Sequence, residues 1–281
     1  MSDVLERPTK AGALEAMRRD RPEWAANLIM AGLCGSDAHG TKLPPDHPMA
    51  TDDLDTFGIA VAPVDWYLGL GGYNNPNGRM TWTTAGSHYD HLVYDVRKFF
   101  ALLVKGNPNV QGWLWTHADD VLLMTKLGRM IIAHRDMFIS RACFTALAGY
   151  AIAQMQKMEQ KEHRGYMGAK RKAIVNEIGY DVKHAAHCIR LLYLGIELAQ
   201  HGTMYARRPE NEAAELMAIK AGEWEYGAVQ KHAEDLFCLF RDAEKLAGLP
   251  PEADVAGADR LLVRVIREAN VDWPSTAWRE P

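Results

Sequence analysis

The sequence predicts an α+β protein: a small domain built on a mixed sheet, then an all-helical domain. Three observations carry this expectation. Up to about residue 118, short apolar runs bounded by Gly, Pro and Asn alternate with helical patterns. From about residue 119 the pattern becomes long amphipathic segments broken by short Gly or Pro stops. The apolar runs in the first part have strand length, not the length of a buried helix. The expected division is 1–118 for the sheet domain and 119–281 for the helical one.

Residues 11–26 read as a helix. "NLIMAGLCG" (27–35) is a buried strand running into a Gly-Ser turn, and 36–52 is a loop rich in Pro, Asp, Gly and Thr. "LDTFGIAVAP" (54–63) is a second buried strand, "GLGGYNNPNG" (69–78) a Gly/Asn loop, and "HLVYDV" (91–96) a third strand. "RKFFALLVK" follows with helical periodicity, stopped by Gly106 with Pro108 behind it. Helices are then expected over 120–133, 135–162, 167–178, 182–201, 210–221, 224–246 and 257–270.

The chain has 281 residues, 48% hydrophobic and 24% charged, enough for a sizeable core. A formal net charge of -4 means that any nucleotide or nucleic-acid contact must come from a local basic patch. "MSDVLERPTK" lacks the apolar stretch of a secretory signal, and no apolar run has membrane-spanning length, so no membrane partner is expected. Cys34, Cys143, Cys188 and Cys238 are scattered without a CxxC pair, which fits reduced thiols in a cytoplasmic protein. The sequence leaves the oligomeric state open.

The chemistry concentrates in "GSDAHGTKLPPDHPMATDDLD" (35–55). In an extended segment residues i and i+2 share a face, so Asp53 and Asp55 present two carboxylates side by side. Close carboxylates resist joint ionisation, and a divalent cation removes that penalty; hard oxygen ligands suit Mg²⁺ or Mn²⁺. An isolated Asp-x-Asp is more often a pair of loop-end caps or turn residues. Gly35-Ser36 after an apolar strand adds a turn whose N–H groups and hydroxyl can hold a phosphate. A further carboxylate could come from Asp90 or Asp95, which strand alternation puts on opposite faces; Asp95 also suits capping the helix that follows.

"GSDAHGT…TDDLDTFGIAVAP" resembles the GS-loop-DxD signature of the DNA polymerase β superfamily of nucleotidyltransferases. "YDVRKFFALLVKGNPNVQGWLW" (94–115), "GYDVKHAAHCIRLLYLGIELAQHG" (179–202) and "ELMAIKAGEW" (215–224) are similar to its RNA-ligase-associated branch. The resemblance runs from about residue 27 to about 250. It implies a polymerase-β-type core with a helical C-terminal domain, and transfer of a nucleoside monophosphate from a nucleoside triphosphate with two divalent metals. Gly35 and Ser36 would hold the triphosphate, Asp53 and Asp55 would bind the metals, and Asp90 would be the third carboxylate. Two features depart from similar sequences: the long "PPDHPMA" loop, and Gln111-Gly112 where a Leu-Glu is usual.

In the 182–201 helix, apolar residues at 182, 185, 189, 192 and 196 make one stripe. Lys183, His187 and Arg190, at i, i+4 and i+7, make a second face suited to polyphosphate or a nucleic-acid backbone, or an ordinary solvated basic face. The family resemblance favours the first. His184 and His187 could pair on a metal, but no neighbouring ligand completes a zinc set. His39 is placed to touch the triphosphate or to serve as a plain turn residue. The loop 69–82 could be an acceptor-side lid, and the charged stretch 157–173 an RNA guide or a solvated helix face; "GWLWTH" (112–117) reads as core.

The expected activity is Mg²⁺-dependent nucleotidyl transfer in which an RNA end supplies the acceptor hydroxyl. A protein or small-molecule acceptor, a catalytically silent nucleotide- or RNA-binding protein, and a metal-dependent phosphohydrolase are the alternatives.

Overall fold

The computed structural model describes residues 8–51, 53–68, 78–84, 88–159, 169–246 and 248–270. In chain order the elements are α1 (Lys10–Asp20), α2 (Pro22–Ala25), β1 (Leu28–Leu33), α3 (Gly35–His39), β2 (Leu54–Ala60), α4 (Val64–Leu68), β3 (Arg79–Thr83), β4 (Tyr89–Asp95), α5 (Val96–Val104) and α6 (Pro108–Gln111). They continue with β5 (Val121–Met124), α7 (Lys126–Ala133), α8 (Arg141–Glu159), α9 (Ala169–Ile178), α10 (Val182–His201), α11 (Glu210–Lys220), α12 (Tyr226–Leu246) and α13 (Val255–Ala269). This is the expected α+β architecture: a mixed five-stranded sheet, with the C-terminal region helical.

The strand order is β3-β4-β2-β1-β5. β1 pairs antiparallel with β2 and β5, β2 runs parallel to β4, and β3 closes the far edge antiparallel to β4. Two strands differ from the sequence expectation. Residues 121–124, read as the start of a helix, form β5, so the strand that completes the sheet lies past the expected boundary at 118. Apolar periodicity over four residues does not separate a strand from a helical turn, and the pairing with β1 settles it. Residues 79–83, read as the end of a loop, form β3 with alternating exposure typical of an edge strand. The glycine loop before it, residues 69–77, and the centre of the charged stretch, 160–168, lie outside the described residues.

The sheet is covered on both faces. On one, Met17 and Trp24 pack against Leu28, Ala31, Ala60 and Val93. On the other, Ile29, Phe57 and Ile59 meet α5 and Trp113; Phe57 stacks on Trp113 with centroids 4.4 Å apart. That second core continues without a break through Phe138, Phe144 and Leu147 into Ile189 and Leu192 of α10, Phe240 of α12 and Val265 of α13. Sheet and helices therefore share one hydrophobic interior. Trp113 and Trp115 are buried, as expected of core residues.

α10 lies at the centre of the helical region. The expected stripe is buried at Val182, Ala185, Ile189 and Leu192, but so are Ala186, Cys188, Leu191, Leu194, Gly195 and Leu198. α8, α11 and α12 pack around it. Its N-terminus is capped by buried Asp181, whose Oδ1 accepts from the amides of Lys183 (3.1 Å) and His184 (3.2 Å). Among the described residues no helix is long and apolar enough to cross a membrane, and the four cysteines are free.

Asp181→Ala should lower the unfolding free energy by about 1–2 kcal/mol, because it removes a cap and leaves two buried-end amides unpaired. Asp181→Asn, which keeps an acceptor, should recover most of the loss; urea unfolding of the three proteins checks this.

Candidate active site

The site starts where β1 ends. The Cys34 amide donates to the Asp55 carbonyl (2.9 Å), carrying the β1–β2 pairing one step past the strand. The chain then turns through Gly35 with φ +63°. A Cβ at Gly35 would lie 2.2 Å from Asp55 Oδ2, so only glycine can occupy this position without moving that carboxylate. The first residue of the Gly-Ser turn and the second aspartate of the Asp-x-Asp are thus in direct contact. α3 lasts five residues, and the Thr41 amide closes the turn by donating to the Ser36 carbonyl (2.9 Å).

Parallel register sets Asp90 opposite Asp55 across β2 and β4, and antiparallel register sets Thr83 opposite Asp90. The Thr83 hydroxyl donates to Asp90 Oδ1 at 2.6 Å, fixing one carboxylate oxygen. Asp53, just before β2, is half exposed and 3.6 Å from His88 Nδ1. Burial pushes the pKa of Asp55 up; Lys183 opposes this, while Asp90, Asp53 and Asp37 add to it. The thiol of Cys34 is likewise raised by burial and then by Asp55, Asp37 and Asp90. Asp95 lies elsewhere: buried, it caps α5 by accepting from the Arg97 amide (2.9 Å) and accepts from the Tyr67 hydroxyl. Asp90, not Asp95, therefore stands beside Asp55. Beneath Asp90, His91 is held by Thr56 (2.6 Å) and Thr84 (3.1 Å), and burial brings its pKa down to about 4, so this tie between strands is neutral.

The helical region supplies the opposite charge. Lys183 acts on Asp55, so the basic face of α10 looks onto the carboxylates. Arg190 is brought down to about 10 by burial and then by Arg208, and stays charged. Arg208 is itself neutralised by Glu197 (3.1 Å) and Glu212 (2.7 Å). His187 is pushed down to about 3, chiefly by burial, then by Arg190; its buried Nε2 has no hydrogen-bond partner among the described residues. His39, at the end of α3, faces the Ala206 carbonyl through Nδ1 (3.0 Å) and is held well below its ordinary value by burial and then by Arg190. All six expected residues of the nucleotide-binding set thus lie along this junction. His184 does not: it is engaged by Gln154 (2.7 Å) and Asp181 (3.8 Å).

Three charged residues were missed by sequence reasoning. Asp37 adds a carboxylate, paired with Lys42 (3.0 Å), whose ammonium also donates to the Asp53 carbonyl (2.9 Å). Lys220, at the end of α11, donates to the Thr41 carbonyl. Asp37 and Lys42 lie inside the quoted Gly-Ser loop, and Lys220 lies in "ELMAIKAGEW", so the signal was proximity to motifs already singled out. Gln111 has a structural post instead: its amide nitrogen donates to the buried carbonyls of Leu103 (2.9 Å) and Phe138 (3.3 Å).

Among the described residues no three His, Cys, Asp or Glu side chains form a ready-made metal cage. The donor set still fits a hard divalent cation. Asp53, Asp55 and Asp90 offer only carboxylate oxygens, and Asp55 carries an ionisation penalty, from burial and its neighbours, that a cation would relieve. None of the described residues donates a hydrogen bond to the Asp55 carboxylate.

The sequence profile of RlaP, the RNA repair pathway DNA polymerase beta family, matches residues 7–264. Among solved structures the chain is similar to a nucleotidyltransferase-like protein from Exiguobacterium sibiricum 255-15, at 9% identity and a TM-score of 0.30, covering 91% of this chain and 80% of that one. It is also similar to the Bradyrhizobium diazoefficiens CD-NTase CdnG, solved with GTP, at 10% identity and a TM-score of 0.22, covering 91% and 90%. No curated protein matches the sequence.

Gly35→Ala should cost more stability than Gly202→Ala. Both glycines have positive φ, which costs about 1–2 kcal/mol for alanine, but only at Gly35 does the new methyl meet a carboxylate; Gly202 opens onto empty space. Denaturant unfolding of both variants measures the difference. A pH effect is also expected. His39, His91 and His187 are neutral in the fold at pH values where the unfolded chain is protonated. Stability is therefore complete above about pH 6.5 and falls as the pH drops towards about 4. His187→Gln should make that decline shallower in unfolding midpoints compared across the same range.

Proposed function

We propose that this chain, which belongs to the RNA repair pathway DNA polymerase beta family, is a nucleotidyltransferase that moves a nucleoside monophosphate from a nucleoside triphosphate to an acceptor hydroxyl, with an RNA end as acceptor. The observation that carries the reading is the contact of the Gly35 backbone with the Asp55 carboxylate, on which Lys183 acts, while Arg190 acts on His39 at the end of the same turn; neither cation has an ion-pair partner among the described residues. Carboxylates on one wall and uncompensated cations on the other suit a polyanion that arrives with its own divalent counter-ions.

In this reading Gly35 and Ser36 seat the phosphates against the turn, while Lys183, His187, Arg190 and His39 line the opposite side. Asp53, Asp55 and Asp90 would hold Mg²⁺, as two ions, or Mn²⁺ in its place. When bound, the metal supplies charge neutralisation at the triphosphate and a lowered pKa for the acceptor hydroxyl. The acceptor hydroxyl releases its proton to solvent as its oxygen bonds to the α-phosphorus, the bond from that phosphorus to the bridging oxygen breaks, and pyrophosphate leaves. The protein's own part is positioning and charge stabilisation. The sheet region, which extends through β5, would carry the chemistry and the helices that follow it the basic face, in a cytoplasmic protein.

The test uses each α-labelled nucleoside triphosphate with Mg²⁺ and total cellular RNA. Wild type should place label in the RNA fraction. Asp55→Ala and Asp53→Ala should lose it by at least about a hundredfold, a metal-ligand effect, while melting within a few degrees of wild type. Label in the protein or small-molecule fraction would replace RNA as the acceptor. Tight nucleotide binding with no label in any fraction would overturn transfer.

A further inference from the structure

A polar frame holds the third carboxylate. At the end of β3, exposed Thr83 sits opposite Asp90 in antiparallel register, and its hydroxyl donates to Asp90 Oδ1 at 2.6 Å. Asp90 Oδ2 has no hydrogen-bond or ion-pair partner among the described residues. One oxygen of this carboxylate is therefore engaged, which sets its rotation, and the other stays available. The residues that follow Asp55, Asp90 and Thr83 are Thr56, His91 and Thr84, and strand alternation puts them on the opposite face of the sheet. All three are buried, and their side chains form one chain. The Thr84 hydroxyl donates to Asp20 Oδ2 (2.6 Å) at the end of α1, and its oxygen lies 3.1 Å from His91 Nε2. His91 Nδ1 in turn lies 2.6 Å from the Thr56 hydroxyl. This chain crosses from β2 through β4 to the end of β3 at the level of the carboxylates. The Thr84 amide also donates to the Tyr89 carbonyl (2.9 Å), carrying the β3–β4 pairing one step past Thr83. Thr83 is thus held from beneath and along its backbone.

We infer that Thr83 is a positioning residue that leaves Asp90 a single oxygen for a cation and so tilts the site towards small divalent ions and away from Ca²⁺; this rests on the reading of Asp53, Asp55 and Asp90 as metal ligands. Ca²⁺ takes about six to eight oxygens in flexible geometry and is often chelated by both oxygens of one carboxylate. Mg²⁺ keeps close to an octahedron, with one or two carboxylates and several waters. To chelate through both oxygens, Asp90 would have to turn and give up the Thr83 hydroxyl. Thr83 cannot follow that turn, because the buried Thr56–His91–Thr84–Asp20 chain and the backbone pairing hold the end of β3. A one-oxygen ligand suits the small ion and denies the larger one a coordination position. The discrimination comes from an uncharged side chain that itself binds no ion.

The test follows Mn²⁺ bound to the full chain by electron paramagnetic resonance and displaces it with Mg²⁺ and with Ca²⁺. The readout is the ratio of the two displacing concentrations, which needs no turnover. Thr83→Val, an exposed substitution of similar shape, should melt within a few degrees of wild type and shift that ratio about tenfold in favour of Ca²⁺. Thr83→Ser, which keeps the hydroxyl, should restore the wild-type ratio. In an Asp90→Ala background, where Asp53 and Asp55 remain, Thr83→Val should change nothing. An unchanged ratio in Thr83→Val with Mn²⁺ still bound would overturn the inference and leave the metal site standing. A shift that persists in the Asp90→Ala background would overturn it too, since Thr83 would then act on something other than Asp90. Mn²⁺ binding that is absent from wild type, or indifferent to Asp55→Ala, would defeat the metal-ligand reading and the inference with it.

Discussion

Everything at the candidate site depends on the burial of α10. The helix is enclosed by α8, α11 and α12, and its inner residues belong to the same core as Phe57 and Ile59 of the sheet. A helix packed on so many sides cannot rotate without opening cavities that cost several kcal/mol each. Its single polar stripe is thereby aimed in one direction, towards the ends of β1, β2 and β4. The Asp181 cap fixes where the first turn begins, and with it the place of Lys183. The basic wall is a consequence of apolar packing.

That arrangement leaves charge unbalanced. Asp37, Asp53 and Asp90 all lie within electrostatic reach of Asp55, and among the described residues only Asp37 of the four forms an ion pair with a lysine. Across from them Lys183 and Lys220 repel each other, and Lys183, Lys220 and Arg190 lack ion pairs among the described residues. Arg208 shows how the same fold treats a structural arginine: buried, and held by two glutamates. The contrast separates ionic groups that finish the structure from groups left for a ligand. The neutral histidines serve the same end, since protonating His39 or His187 beside Arg190 would add a charge that burial disfavours.

Much of this was legible in the chain. The Gly-Ser turn, the Asp-x-Asp and the basic stripe of 182–201 each follow from residue spacing, and the helical boundaries of α10 agree with the pattern at both ends. β5 and β3 were not legible: four apolar residues after a 3₁₀ turn, or an edge strand with alternating polarity, carry too little periodic signal, and their identity comes from the partner strand. Lys42, Lys220 and Asp37 were not legible either, because a lysine at a helix end or an aspartate in a short turn looks like ordinary surface charge.

By itself the sequence determined most of the elements, β3 and β5 apart, and which residues carry charge, since local periodicity, turn chemistry and capping depend on near neighbours. Only the tertiary structure decided which charges meet. Asp90 was chosen over Asp95 by a parallel register set between strands 35 residues apart in pairing, Asp55 with Asp90. Lys220 was brought to Thr41 across 179 residues by the packing of α11 on the shared core. Such long-range neighbours are fixed by core packing and register, which no local window of the chain contains.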